Sequence, residues 1–200
     1  MPDLKRRFKS GMLFNFWIPA PQVIDHETIQ MKTVPVEPLT PESFQEFGSY
    51  RDMLNPVAEM LGAPPIEFFP DMIQQALGNC QAASYSNCRV GLREPVINAA
   101  ECHSCTAEML MPLDADVLMW FAPASVPDAE FPDGKARAFL VPKGTMVVIK
   151  PGTWHHGPFC VGSEPANILV ALPERTYAND TRTVVLEGDD CLQIACPPNP

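Results

Sequence analysis

Proline occupies 23 of the 200 positions and is spread along most of the chain, against 11 glycines. Its ring removes a backbone donor and clashes with the preceding helical turn, so this density excludes a helix-dominated fold and suits short strands joined by corners. The apolar runs agree. Residues 82–90, 96–101, 103–111, 115–121, 137–141, 145–150, 167–172 and 181–187 are short β-type segments separated by Pro, Gly, Asn or Asp. Turn signals at that regular spacing predict an all-β sandwich or barrel, here a single jelly-roll barrel with a few short helices near the N-terminal half.

Three regions are distinguished by their composition. Residues 1–32 read as an arm, with Phe14, Phe16 and Trp17 followed by Pro19 and Pro21; residues 33–188 form the barrel domain, and 189–200 an irregular tail ending Pro-Pro-Asn-Pro. A short strand is expected from Val34. Thr40, Pro41 and Gly48 around Phe44 and Phe47 predict an N-cap, an N1 proline and a terminal glycine for a two-turn helix. Residues 51–78 mix signals: Met53, Leu54, Val57 and Leu61 have helical spacing interrupted by Pro56, and Phe69–Leu77 offers a second short helix.

Acids outnumber bases 24 to 14, a net charge of −10, so the electrostatic footprint of a nucleic-acid or anionic-membrane partner is missing. Seven cysteines, an odd number without framework spacing, predict reduced thiols and a cytoplasmic protein. Lys5, Arg6, Arg7 and Lys9 before Met12–Ile18 superficially resemble a signal peptide, but the apolar run is short and Asn15 interrupts it. The aromatic arm and the barrel's strand edges, which need covering, predict a homodimer.

Two segments concentrate metal-ligand types. In Glu101-Cys102-His103-Ser104-Cys105, alternation places Glu101, His103 and Cys105 on one strand face, with Glu108 five residues after the histidine. The second is the turn Pro151-Gly152 leading into Trp154, His155 and His156. Imidazoles and carboxylates together suit a divalent first-row metal with open positions for substrate, the ion being Ni, Mn, Zn or Fe. Cys102 and Cys105 form a CxxC without a second pair, and a redox CxxC would open a helix, so a zinc knuckle or redox pair is not favoured. Cys105 shares the expected face of His103, which leaves open whether it lines the site.

These two segments resemble the motifs of the cupin superfamily. Glu101 stands at the first histidine of its HxH motif, His103 at the second and Glu108 at the carboxylate, while Pro151, Gly152 and His155 resemble the turn that ends in the last metal histidine. Residues 34–187 are also similar to the ureidoglycolate lyase family, formerly called ureidoglycolate hydrolases. The similar features are Val36 through Phe44 to Gly48, the Glu101-x-His103 pair with Thr106 and Pro112, Arg137-Ala138-Phe139 with Val147, and Trp154-His155-His156. Departures from that family stand at Asn98, Cys102, Ser104 and Glu108, the last restoring an ordinary cupin carboxylate.

The resemblance implies a cupin barrel that cleaves ureidoglycolate to glyoxylate and urea, within allantoin and purine breakdown. Implied metal ligands are Glu101, His103, Glu108 and His155, with one carboxylate alternatively serving as general base. His156 is the expected general acid, Arg137 a clamp for the carboxylate of a small anionic substrate and Lys150 its substitute. Alternatives are another metal cupin, an isomerase or dioxygenase for small hydroxy or keto acids, or a barrel that only binds such acids.

Overall fold

Val117–Ala122 contains no polar residue because this strand is covered on both faces. In the computed structural model, which describes residues 31–126 and 129–195, Val117, Met119 and Phe121 join one apolar cluster, while Leu118, Trp120 and Ala122 join another. The chain runs β1 (Lys32–Glu37), α1 (Pro41–Phe44), β2 (Gly48–Asp52), β3 (Leu61–Ala63), β4 (Ile66–Phe68), β5 (Ala83–Val90), β6 (Val96–Ile97) and β7 (Ala99–Cys102). It continues through β8 (Glu108–Pro112), β9 (Val117–Ala122), β10 (Arg137–Val141), β11 (Thr145–Ile149), β12 (Trp154–His155), β13 (Phe159–Cys160) and β14 (Ala166–Pro173). Helix α2 (Thr176–Asn179), β15 (Arg182–Val185) and β16 (Leu192–Ala195) complete it.

Two sheets build the body. One has the order β15-β7-β12-β9-β10-β1-β16-β6, with β13 also pairing β9, and the other the order β2-β11-β8-β14-β5. Within each, neighbours pair antiparallel except that β1 runs parallel to β10 and β16. Their facing sides share the cluster that includes Leu110, Val117, Met119, Phe121, Phe139, Val147, Ile149 and Ile168. This is the all-β jelly-roll architecture expected from the sequence, with two short helices, of which α2 lies in the C-terminal half and not where helices were expected.

Helix α1 supplies much of the barrel's filling. Thr40 and Ser43 make a reciprocal capping box, and Pro41 occupies the start of the helix, where a missing N–H is harmless. The cap directs Phe44 and Phe47 inward, where both are fully buried; the Phe44 ring meets Phe121 and Phe139 edge-on at 5.3 and 5.4 Å. Burying such a ring contributes ~1.5–3 kcal/mol.

The structure departs from expectation in five places. Helix α1 has one turn, not two, and Gly48 opens β2 instead of ending the helix; its missing side chain lets β2 approach β11, since a Cβ there would lie 2.0 Å from the Val148 carbonyl oxygen. Residues 103–107 form a loop, because β7 ends at Cys102 and β8 begins at Glu108. Phe69–Leu77 is not helical: Gln75 and Ala76 tie it to the barrel by bonding Ala107. Leu192–Ala195, within the expected irregular tail, is a strand held between β1 and β6. The mixed segment 51–78 contributes the end of β2 and the β3–β4 hairpin, not helix. The arm lies outside the described residues except for its last two, of which Lys32 starts β1.

Candidate metal centre

The two ligand-bearing segments meet because sheet register and one loop bond bring them together. His155 on β12 pairs with Glu101 on β7 and with Phe121 on β9, and the Gly152 N–H donates to the His103 carbonyl at 2.6 Å. Gly152 has φ +81°, a conformation that favours glycine, and a Cβ there would come 2.9 Å from the Ala124 Cβ. The turn thus delivers His155 inward while Trp154 packs on the opposite face with the outer apolar cluster.

His103, Glu108 and His155 form the cluster, all buried, with one donor atom from each within 4.8 Å of the others. Glu108 Oε2 lies 2.7 Å from His155 Nε2 and 3.3 Å from His103 Nε2. Each imidazole is held from behind. His155 Nδ1 is 3.0 Å from the Thr153 carbonyl oxygen, and His103 Nδ1 is 2.7 Å from the Asp180 carbonyl oxygen and 3.2 Å from Thr181 Oγ1. A carbonyl can only accept, so each Nδ1 carries a proton, and the Nε2 left to each ring is turned onto Glu108, as a lone pair whenever that ring is neutral.

Lone pairs facing a buried carboxylate require something positive between them. Glu108 Oε2 and His155 Nε2 are both buried, and no aligned hydrogen bond engages either one. A proton on His155 meets the requirement: burial by itself lowers its pKa, but the Glu108 carboxylate prevails and raises it to about 9. Burial likewise favours neutral Glu108, yet His155 and His103 hold it down to about 2. A divalent cation meets it as well, and two imidazoles plus a carboxylate with outer hydrogen bonds fixing the tautomers are a donor set that fits one.

Other residues expected at the site are placed differently. Glu101 shares the inward face of His155 by register but stands outside the three-donor cluster. His156 is half-buried, and burial lowers its pKa against the pull of Glu101, which favours the neutral ring and makes it less suited to the expected role of general acid. Arg137 is not free as a clamp: it pairs with Glu46 at 2.5 Å and Glu37 at 3.5 Å and lies over the Phe47 ring. The Lys150 ammonium bonds the carbonyls of Gln45 and Glu46 just after α1. Cys105 is exposed on the loop and lines a separate cavity of about 410 Å³ with Gly78, Cys80 and Asp180.

Sequence reasoning missed Asp180 and Thr181. No local pattern marks them, because Asp180 follows a four-residue helix and reaches His103 only through the fold. Asp180 also accepts the Ser104 and Cys105 N–H groups on its carboxylate at 2.9 and 2.8 Å.

No helix among the described residues is long and apolar enough to cross a membrane. Solved structures similar to this chain include Bacillus subtilis oxalate decarboxylase, from work on its Mn(II) centres, at 19% identity over 52% of this chain and a TM-score of 0.36. The chain spans only 24% of that protein's length. Another is a point mutant of the 3,4-ketoisomerase QdtA from Thermoanaerobacterium thermosaccharolyticum, at 14% identity over 67% of this chain and 85% of that one, with a TM-score of 0.36. No curated protein matches. The model of the family described as "Domain of unknown function (DUF4867)" matches residues 81–196, from just before β5 to just beyond β16 and across all three clustered residues, and the chain belongs to that family.

Proposed function

We propose that this chain is a metal-dependent enzyme acting on a small hydroxy or keto acid, and that its reaction is the cleavage of ureidoglycolate to glyoxylate and urea. The observation that carries the reading is the pair of imidazole Nε2 atoms turned onto one buried carboxylate, each ring fixed from behind. His103, Glu108 and His155 would hold a divalent ion, which would supply Lewis acidity toward the carboxylate and hydroxyl oxygens of such an acid.

Glu101 takes the proton-transfer role. It is next to His155 in register, on the same face, and outside the cluster. It removes the substrate hydroxyl proton as the carbonyl of glyoxylate forms, and returns that proton to the ureido nitrogen as the carbon–nitrogen bond breaks. Phe121, on the other side of His155, is buried and keeps water from that flank.

The same three donors favour a second reading. Two histidines and one carboxylate with open positions also suit a non-haem iron dioxygenase. One experiment addresses both: glyoxylate release from racemic ureidoglycolate by metal-stripped protein reloaded separately with Mn, Ni, Zn or Fe, with and without oxygen. Metal-dependent release that persists without oxygen supports the lyase. Absence of release with every metal overturns it, and oxygen consumption with a small keto or hydroxy acid turns the assignment to the dioxygenase.

A further inference from the structure

Most side chains on the facing sides of the two sheets are apolar and buried, but along one border exposed hydroxyls and a half-buried carboxylate stand among them. Residues paired across an antiparallel ladder share a face. The row His155–Glu101–Thr183 therefore faces inward from one sheet, and the row Leu110–Val170–Ser86 faces it from the other. Along the first row, exposure rises from buried His155 through half-buried Glu101 to exposed Thr183. Along the second it rises from buried Leu110 through half-buried Val170 to exposed Ser86. The rows end on β15 and β5, each the outermost strand of its sheet.

The two borders lie close to the metal centre. Cys88 is two residues from Ser86 and shares its face; its thiol pKa is raised by burial first and then by the charges of Glu108 and Glu101. The first row starts at His155 itself, and Leu110 of the second row stands two residues along β8 from Glu108 on the same face, so both rows begin at the cluster.

We propose that the seam between β15 and β5 is the substrate's route to His103, Glu108 and His155, and that it selects small acids bearing one carboxylate and an uncharged hydrogen-bonding tail. This rests on the metal-dependent reading above. The seam offers the hydroxyls of Thr183, Ser84 and Ser86, which give and accept hydrogen bonds with amide, ureido or hydroxyl groups. Glu101 stands among them and repels a second carboxylate, which is how a site rejects the wrong partner. The cation whose field reaches Cys88 is Arg93; it donates to the Gly157 and Pro158 carbonyls at 2.6 and 3.1 Å and lies 3.8 Å from the Phe159 ring centre. Its charge is engaged there, not at the hydroxyls.

The test uses the full chain loaded with Co(II), whose visible absorption reports ligands entering the metal's surroundings. Hydantoate, a carboxylate with a neutral ureido tail, and succinate, a dicarboxylate that like hydantoate has no hydroxyl, are titrated in. Hydantoate is expected to shift the spectrum at a concentration about tenfold lower than succinate, the ratio that one modest like-charge penalty produces. Ser86→Trp, which fills the seam, is expected to raise the hydantoate midpoint about tenfold with Co(II) affinity unchanged, the ratio that loss of a modest contact produces. Tyr85→Trp, on the outward face of the same strand and 70% exposed, is expected to leave it unchanged. An unaltered hydantoate midpoint in Ser86→Trp, or equal binding of succinate, overturns the seam while the metal centre stands. Failure of the unsubstituted protein to take up Co(II) overturns the metal reading and the seam with it.

Discussion

The Asp180 backbone carbonyl sits 2.7 Å from His103 Nδ1 while the Asp180 carboxylate accepts the next two backbone N–H groups, those of Ser104 and Cys105. One residue after α2 thereby fixes both the ring of one metal-site histidine and the start of the loop that leads to Glu108. Asp180→Ala keeps the backbone carbonyl and removes only the carboxylate. Outer-shell losses of this kind weaken metal binding about 10- to 100-fold. We expect that loss in competition titrations with a chelator, and a smaller one for Asp180→Asn, which retains one acceptor oxygen. Equal affinity in Asp180→Ala and the unsubstituted protein would show that the loop holds itself.

The pair Glu108–His155 makes metal-free stability depend on pH from both sides. His155 is raised from 6.5 to about 9, so its contribution is complete below its unfolded value and is lost as pH rises through about 9. Glu108 is lowered from 4.5 to about 2, so its contribution is present above 4.5 and is lost as pH falls through about 2. Both describe one ion pair. Thermal melts of stripped protein are expected to show a plateau between about pH 4.5 and 6.5 and a steady decline from there to about pH 9.

Metal uptake must displace the His155 proton, since only a neutral imidazole ligates. Affinity is therefore expected to climb between pH 6 and 9, with about one proton released per ion at pH 7. Calorimetry in two buffers of different ionisation enthalpy measures that number. A release near zero would mean that His155 is neutral without metal.

Gly48→Ala tests the close approach of β2 and β11. The new Cβ would meet the Val148 carbonyl oxygen at 2.0 Å and the Ile149 Cα at 2.9 Å, both backbone atoms with little freedom to move. Overpacking of this kind costs about 1–3 kcal/mol. A lower denaturation midpoint is expected, and an unchanged midpoint would show that β2 can separate from β11 without loss.

Arg137→Gln is expected to leave metal affinity unchanged and to lower stability by no more than about 1 kcal/mol, because its carboxylate partners Glu46 and Glu37 are both partly exposed. Chelator competition and chemical denaturation measure the two. A large rise in the substrate concentration needed for half-maximal rate would restore the clamp expected from the sequence.

What the sequence determined by itself was local. Proline spacing and short apolar runs place the strands at 83–90, 117–122, 137–141, 145–149 and 166–173 close to where they form, because turn chemistry and period-two alternation act over a few residues. Thr40 and Pro41 started their helix for the same reason. Residue type and spacing marked the two segments that hold His103, Glu108 and His155, while the choice of His155 over His156 came from the resemblance to the cupin motifs.

Tertiary structure decided the rest. Whether Glu101 or Glu108 faced the two imidazoles depended on where β7 stopped and on how its residues registered with β12, which no short window of sequence contains. Arg137 was drawn to Glu37 and Glu46 by the packing of α1 on the barrel rim, and Leu192–Ala195 became a strand only because β1 and β6 offered edges on both sides. Asp180 reached His103 across 77 residues of chain. Long-range register and the meeting of distant loops are set by burial of the whole inner face, and that is a property of the assembled barrel.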